Sequence, residues 1–108
     1  MRRYASQRVF NACTGEILPF HKIELESDSS FISCSPFTFE EASTTYVIGL
    51  IVISAAEINI LPDENFDAFK KRIQKINGEP SSPIKSFIVT PFNLVEMEFL
   101  PQSRVVSL

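Results

Sequence analysis

The chain has 108 residues, a formal net charge of −3, and 44% hydrophobic against 21% charged residues. A domain of this size can bury one core without a disulfide or a metal, and the composition excludes a disordered chain. The mildly acidic balance argues against nucleic acid or an anionic membrane as partner, since both are met by a positive face. Phe accounts for 10 residues and Trp for none. Because Phe has no polar handle, these rings are expected in a core or an interface.

Residues 2–11 alternate loosely, with Tyr4, Ser6, Arg8 and Phe10 on one side and Ala5, Gln7 and Val9 on the other, which predicts a strand. Residues 12–16 form a turn around Gly15. In residues 17–26, Ile17, Pro19, His21, Ile23 and Leu25 share one face while Lys22, Glu24 and Glu26 share the other, a strand with one wet side. Pro19 sets its early part near an edge or bend. Ser27-Asp28-Ser29-Ser30 has turn chemistry, and residues 31–35 read as a short strand stopped by Pro36. Residues 37–43 fit a loop or one helical turn. Tyr46-Val47-Ile48-Gly49-Leu50-Ile51-Val52-Ile53 is nearly all apolar and rich in β-branched side chains. It predicts a strand buried on both faces, against which the other segments pack.

Residues 55–61 are a connector or a short extra strand. A helix follows, with Asp63 as N-cap, Glu64 and Asp67 at its positive end, Lys70, Lys71, Arg72 and Lys75 towards its negative end, and Asn77-Gly78 closing it. Phe66, Phe69, Ile73 and Ile76 make its apolar stripe, to be laid on the sheet or to plug one end of it. Residues 79–83 are a loop too short to separate domains. Residues 84–90 predict a strand ending at Pro91. Residues 93–100 predict another, with Val95, Met97 and Phe99 inward and Glu96 and Glu98 outward, and residues 104–108 a last one. The expected fold is a single α+β domain, mainly β. Its curled, largely antiparallel sheet of about six to eight strands, sandwich- or barrel-like, carries one packed helix.

Few residues offer chemistry. His21 is the single histidine, a candidate ligand-binding residue or general base because imidazole titrates near neutral pH. Its place on an apolar strand face, with no second histidine to complete a metal set, favours a core or rim histidine over either role. Glu40 with Glu41, or Glu96 with Glu98, would supply paired carboxylates, though Glu40 and Glu41 point to opposite faces if their segment is extended, and a solvated surface explains Glu96 and Glu98, which share a face. Cys13 and Cys34 have no metal-ligand spacing and no base nearby in sequence; free buried thiols are expected rather than a disulfide. The basic residues of the helix suit its dipole without any anion. Nucleotide-binding glycine loops, nucleophile elbows and metal-ligand motifs are absent, so neither a cofactor nor a catalytic residue is assigned. Phe31-Ile32-Ser33-Cys34-Ser35-Pro36-Phe37 echoes Phe87-Ile88-Val89-Thr90-Pro91-Phe92, a pairing that chance explains or that places two strands at related edges. The basic N-terminus meets no apolar segment that would make a signal peptide, and the longest apolar run is too short for a bilayer, so a cytoplasmic location is expected.

In order, Arg8-Val9-Phe10-Asn11, Thr14-Gly15-Glu16-Ile17-Leu18, His21-Lys22-Ile23-Glu24-Leu25, Phe31-Ile32-Ser33 and Gly49-Leu50-Ile51 resemble the N-terminal segment of the amidohydrolase superfamily. The resemblance implies a small β-sandwich of the kind that stands beside that family's catalytic barrel, with residues 84–108 similar to its C-terminal strands. It departs where the family carries its metal histidines, since Val52-Ile53-Ser54-Ala55 follow here. What it implies is the sandwich without its enzyme. The function expected is a non-catalytic interaction or accessory module that contacts another protein or itself. The alternative is a small-ligand-binding domain or modest enzyme with a pocket near His21.

Overall fold

The computed structural model describes residues 2–38, 43–77 and 83–108. Seven strands and one helix follow in the order β1 (Arg2–Asn11), β2 (Glu16–Leu25), β3 (Phe31–Pro36), β4 (Thr45–Tyr46), β5 (Leu50–Ser54), α1 (Phe66–Ile76), β6 (Lys85–Asn93) and β7 (Glu98–Ser107). They form one sheet in the order β3-β2-β1-β5-β6-β7, with β4 beside β1. Pairing is antiparallel except where β1 meets β4 and β5. The sheet is mixed and is not closed into a barrel. Three tight connections, at 12–15, 26–30 and 94–97, make antiparallel neighbours. The α1 segment lies between β5 and β6 yet returns the chain antiparallel, so the parallel contacts are confined to the middle of the sheet.

The expected central strand is present in two pieces. Ala5 pairs with Tyr46 and Arg8 with Leu50, so three steps along β1 oppose four along its neighbour. One extra residue is accommodated within Val47-Ile48-Gly49, a β-bulge. Leu50–Ser54 is buried throughout, as its apolar composition demands, but Ile48 is 80% exposed and Tyr46 40%. The bulge is built rather than slack. The buried Ser6 hydroxyl donates to the Gly49 carbonyl, and Val47 N donates to Ala5 O at 2.8 Å. A Cβ on Gly49 would stand 2.6 Å from the Val89 carbonyl of β6, so only glycine allows that approach.

At the same level Phe20 in β2 has a φ of 44°, an unusual conformation for an aromatic residue. On the turn side of this line, Val9 and Leu18 face one way and Phe10 and Ile17 the other. Beyond it, Tyr4 and Ile23 join the Val9 side, although strict alternation would put them opposite. The pleat therefore changes face along a line crossing β2, β1 and the bulge, and the far half of the sheet folds over. Such breaks make the corners of curled β-structures. This corrects the expectation of one wet face along residues 17–26.

Two cores result. The helix face holds Phe10, Leu50, Val52, Phe66, Phe69, Ile73, Phe87, Val89 and Phe92. Here Phe66 is central, its ring 6.1 Å from Phe10, 5.2 Å from Phe92 and 5.8 Å from Phe99, all edge to face. Edge-to-face pairs bring about 0.5–1.5 kcal/mol each beyond their buried area. The other face encloses Val9, Ile23, Leu25, Ile51 and Ile53 inside the fold of the sheet. Ile76, expected in the helix stripe, is instead 51% exposed, because the inward position at this end of the helix falls to Asn77, which is 2% exposed.

Further corrections follow. The N-cap of α1 is Asn65, whose Oδ1 accepts Ala68 N at 2.8 Å; Asp63 lies in the preceding turn with φ 59°. Asn77 closes the helix as expected, whereas Gly78, the 79–82 loop and most of the ambiguous 37–43 segment lie outside the described residues. β6 does not stop at Pro91 but runs to Asn93, with the Thr90–Pro91 bond cis. Opposite it, five steps from Phe99 to Arg104 span two from Phe92 to Thr90, so β7 carries three extra residues. Ser103 ties this wide bulge, accepting Leu100 N at 2.8 Å and donating to Pro91 O. A proline without an N–H is tolerated there because the ladder is already interrupted. Residues 94–97 are the hairpin turn, not strand, which leaves Val95 92% exposed. The Phe31 and Phe87 echoes occupy unlike places, β3 at an edge and β6 inside the sheet.

Candidate functional site

The two edges of the sheet differ in how they are defended. β7 carries Glu98 and Arg104, has Pro101 within it, and is bent by its bulge, all features that discourage another strand from pairing. β3, Phe31-Ile32-Ser33-Cys34-Ser35-Pro36, holds no charged residue, and is guarded by its terminal proline and by a bulge at Ile32, where Phe31 and Ser33 stand opposite the adjacent Leu25 and Glu24. Among the described residues no strand pairs with its outer side. Cys34 and Phe31 turn towards the enclosed core while Ile32 stands 40% exposed. The bulge at Ile32 breaks the alternation of β3, so that an apolar side chain stands exposed beside an outer edge with which no described strand pairs.

A second feature is the open cleft of about 660 Å³ where the start of α1 meets β7. Residues 60–65 form one wall and the β7 bulge the other. Glu98, at its base, is already engaged: Oε1 accepts Phe66 N at 2.6 Å and Phe99 N at 3.0 Å. It thereby serves the positive end of the helix. Glu64 is engaged too, meeting Arg72 Nε and Nη2 at 2.8 Å each, while Arg72 Nη2 also donates to Asn59 O at 2.6 Å. The guanidinium bonds hold the Glu64 carboxyl below the usual range and raise Arg72. These carboxylates are structural.

The candidate residues are not brought together. His21 is half-buried in β2, opposite Ser6 and Pro36, with Nδ1 2.7 Å from the Pro19 carbonyl, and it lines neither the cleft at α1 and β7 nor the smaller ones at the β2–β3 turn and between residues 58–60 and 103–105. Glu40 and Glu41 lie outside the described residues. Glu96 and Glu98 do not share a strand face, because Glu96 lies in the hairpin turn. Cys13 and Cys34 are free thiols, half-buried rather than buried, and burial pushes the Cys34 thiol up, away from thiolate chemistry. On the helix, Lys71 pairs with Asp67 at 3.1 Å and Lys70 stands over the Phe66 ring, so much of the basic face is internally satisfied. No group of three or more metal-ligating side chains occurs among the described residues, and no described helix is long and apolar enough to cross a membrane.

Sequence reading missed the most connected polar group. Asn77 is 2% exposed, and its Oδ1 accepts Ala55 N at 2.7 Å while Nδ2 donates to Ile73 O at 2.9 Å and Ser54 Oγ at 3.0 Å. Cys13 Sγ lies 3.5 Å from the same Oδ1. One amide therefore joins the end of α1, the end of β5 and the β1–β2 turn. Its place after the helix was the only signal in the sequence. No family model, curated protein or solved structure matches this chain.

Proposed function

We propose that this domain is a non-catalytic interaction module that acts by contact with another protein or with a second copy of itself. The observation that carries this reading is the uncharged outer strand β3, an edge without the charges that protect β7. An extended segment can add to such an edge through main-chain hydrogen bonds, with alternate side chains giving specificity. The engagement of Glu64 and Glu98 in holding the helix supports a role without catalysis. The amidohydrolase-like order of residues 8–52 fits the same proposal, as a sandwich that serves by packing against something else.

The test is light scattering across a concentration series, with Ile32→Lys as the disrupting variant. The reading expects either a dimer or a co-purifying partner in the wild type, lost in the variant while the melting temperature is kept. A strictly monomeric wild type, with no partner that Ile32→Lys releases, overturns it.

A further inference from the structure

A small cleft of about 270 Å³ lies where the β2–β3 turn, the start of β6 and the end of β7 come together. It contains a polar group that the fold leaves unanswered. Ser86 in β6 is 2% exposed and lines this cleft, yet its hydroxyl has no hydrogen-bond partner. Buried hydroxyls are almost always bonded, so an orphan on a residue that lines a cleft calls for a partner. Ser86 stands opposite Ile53 and its own carbonyl is taken by Leu108 N at 3.0 Å, so the main chain there is rigidly paired and only the side chain is available. The facing wall is the β2–β3 turn, where the Ser29 hydroxyl accepts Arg2 Nη2 and retains its own proton to donate.

We infer that this cleft binds a small neutral polyhydroxylated molecule, a polyol or monosaccharide, with the Ser86 hydroxyl as its inner anchor and Ser29 as the opposing one. The chemistry of the walls selects that class. A hydroxyl both donates and accepts, so the natural complement of two serine residues lining one cleft is further hydroxyls. An anion is not matched, because Lys85 is already paired with Glu57 at 2.5 Å and the exposed Asp28 carboxylate, bonded to the neutral Ser30 N at 3.0 Å, keeps its negative charge at the mouth. Ile84 and Leu108 supply an apolar side for the C–H face of a ring. The volume falls just below the about 300 Å³ at which sites for drug-sized ligands begin, which restricts the ligand to one ring or a short chain.

The full chain is titrated with myo-inositol, glucose and glycerol, following backbone amide chemical shifts, with acetate and methylammonium as charged probes. Saturable shifts centred on Ser29, Ser86 and Leu108 with at least one hydroxylated probe are expected. Affinity should fall about tenfold in Ser86→Ala, the loss of one buried hydrogen bond, and similarly in Ser29→Ala, which serves if the first variant fails to fold. Ile32→Lys should leave the binding unchanged, which separates this site from the contact edge. The inference is overturned if no hydroxylated probe shifts these amides, if a charged probe does so in preference, or if both serine variants bind as the wild type does.

Discussion

Asn77→Ala offers the sharpest test of how the two layers are held together. The substitution removes the side-chain bonds to Ala55, Ile73, Ser54 and Cys13, but their consequences differ. Ile73 O keeps the Asn77 backbone N–H at 3.1 Å, and the Ser54 hydroxyl keeps Ala56 O at 2.7 Å. Ala55 N loses the acceptor that held it at 2.7 Å in a buried position. An orphaned buried N–H costs about 1–3 kcal/mol, and the space left by the amide adds on the order of 1 kcal/mol. The expected loss is therefore about 2–4 kcal/mol, with a melting temperature lower by about 10 °C or more. Urea unfolding measures it. Asn77→Asp separates the bond from the volume. Its carboxylate still accepts from Ala55 N, but it would be buried at the negative end of a helix, so its folded pKa is raised above the unfolded one. A raised acid binds more protons folded than unfolded, so stability is greatest at acid pH and falls as pH rises from the ordinary aspartate value through the raised one. Asn77→Ala shows no such dependence from this site. A loss under about 0.5 kcal/mol, the range of an ordinary surface change, or parallel pH profiles for the two variants would refute the assignment of Asn77 as the pin.

Three more outcomes follow from the same geometry. Gly49→Ala should cost about 1–3 kcal/mol in thermal melts, the usual penalty for forcing extra volume into a packed place, because its Cβ meets the Val89 backbone rather than a movable side chain. Glu98→Ala should cost about 1–2 kcal/mol by stripping Phe66 N and Phe99 N of their acceptor, with Glu98→Gln milder because it keeps an oxygen there. Arg72 depresses the Glu64 pKa, so that pair stabilises the fold above the ordinary glutamate range and the contribution is lost as pH falls through the depressed folded value. Arg72→Ala should therefore be less stable at neutral pH and show a shallower acid limb; an unchanged limb would exclude that linkage.

What could be read from the residues alone is whatever local periodicity dictates. The β1–β2 and β2–β3 turns, the strands at 2–11, 17–26 and 31–35, the helix with its Phe66, Phe69 and Ile73 face, and the buried Leu50–Ile53 all follow from alternation, turn chemistry and the 3.6-residue repeat. An interruption supplied by a neighbouring strand is not local, and there the sequence misleads. Nothing in Tyr46–Gly49 announces that Ser6 will hold a bulge open, and nothing in Val95 or Glu98 separates a hairpin turn from a strand until Pro91 and Ser103 face each other. The site residues follow the same rule. His21 and the paired glutamates stood out by type, whereas Ser86 and Asn77 matter by position, one for a bond it lacks and the other for bonds it makes to distant parts of the chain, 64 residues away in the case of Cys13. Burial and the direction of a side chain against other strands are properties of the folded sheet, and only tertiary contact decides them.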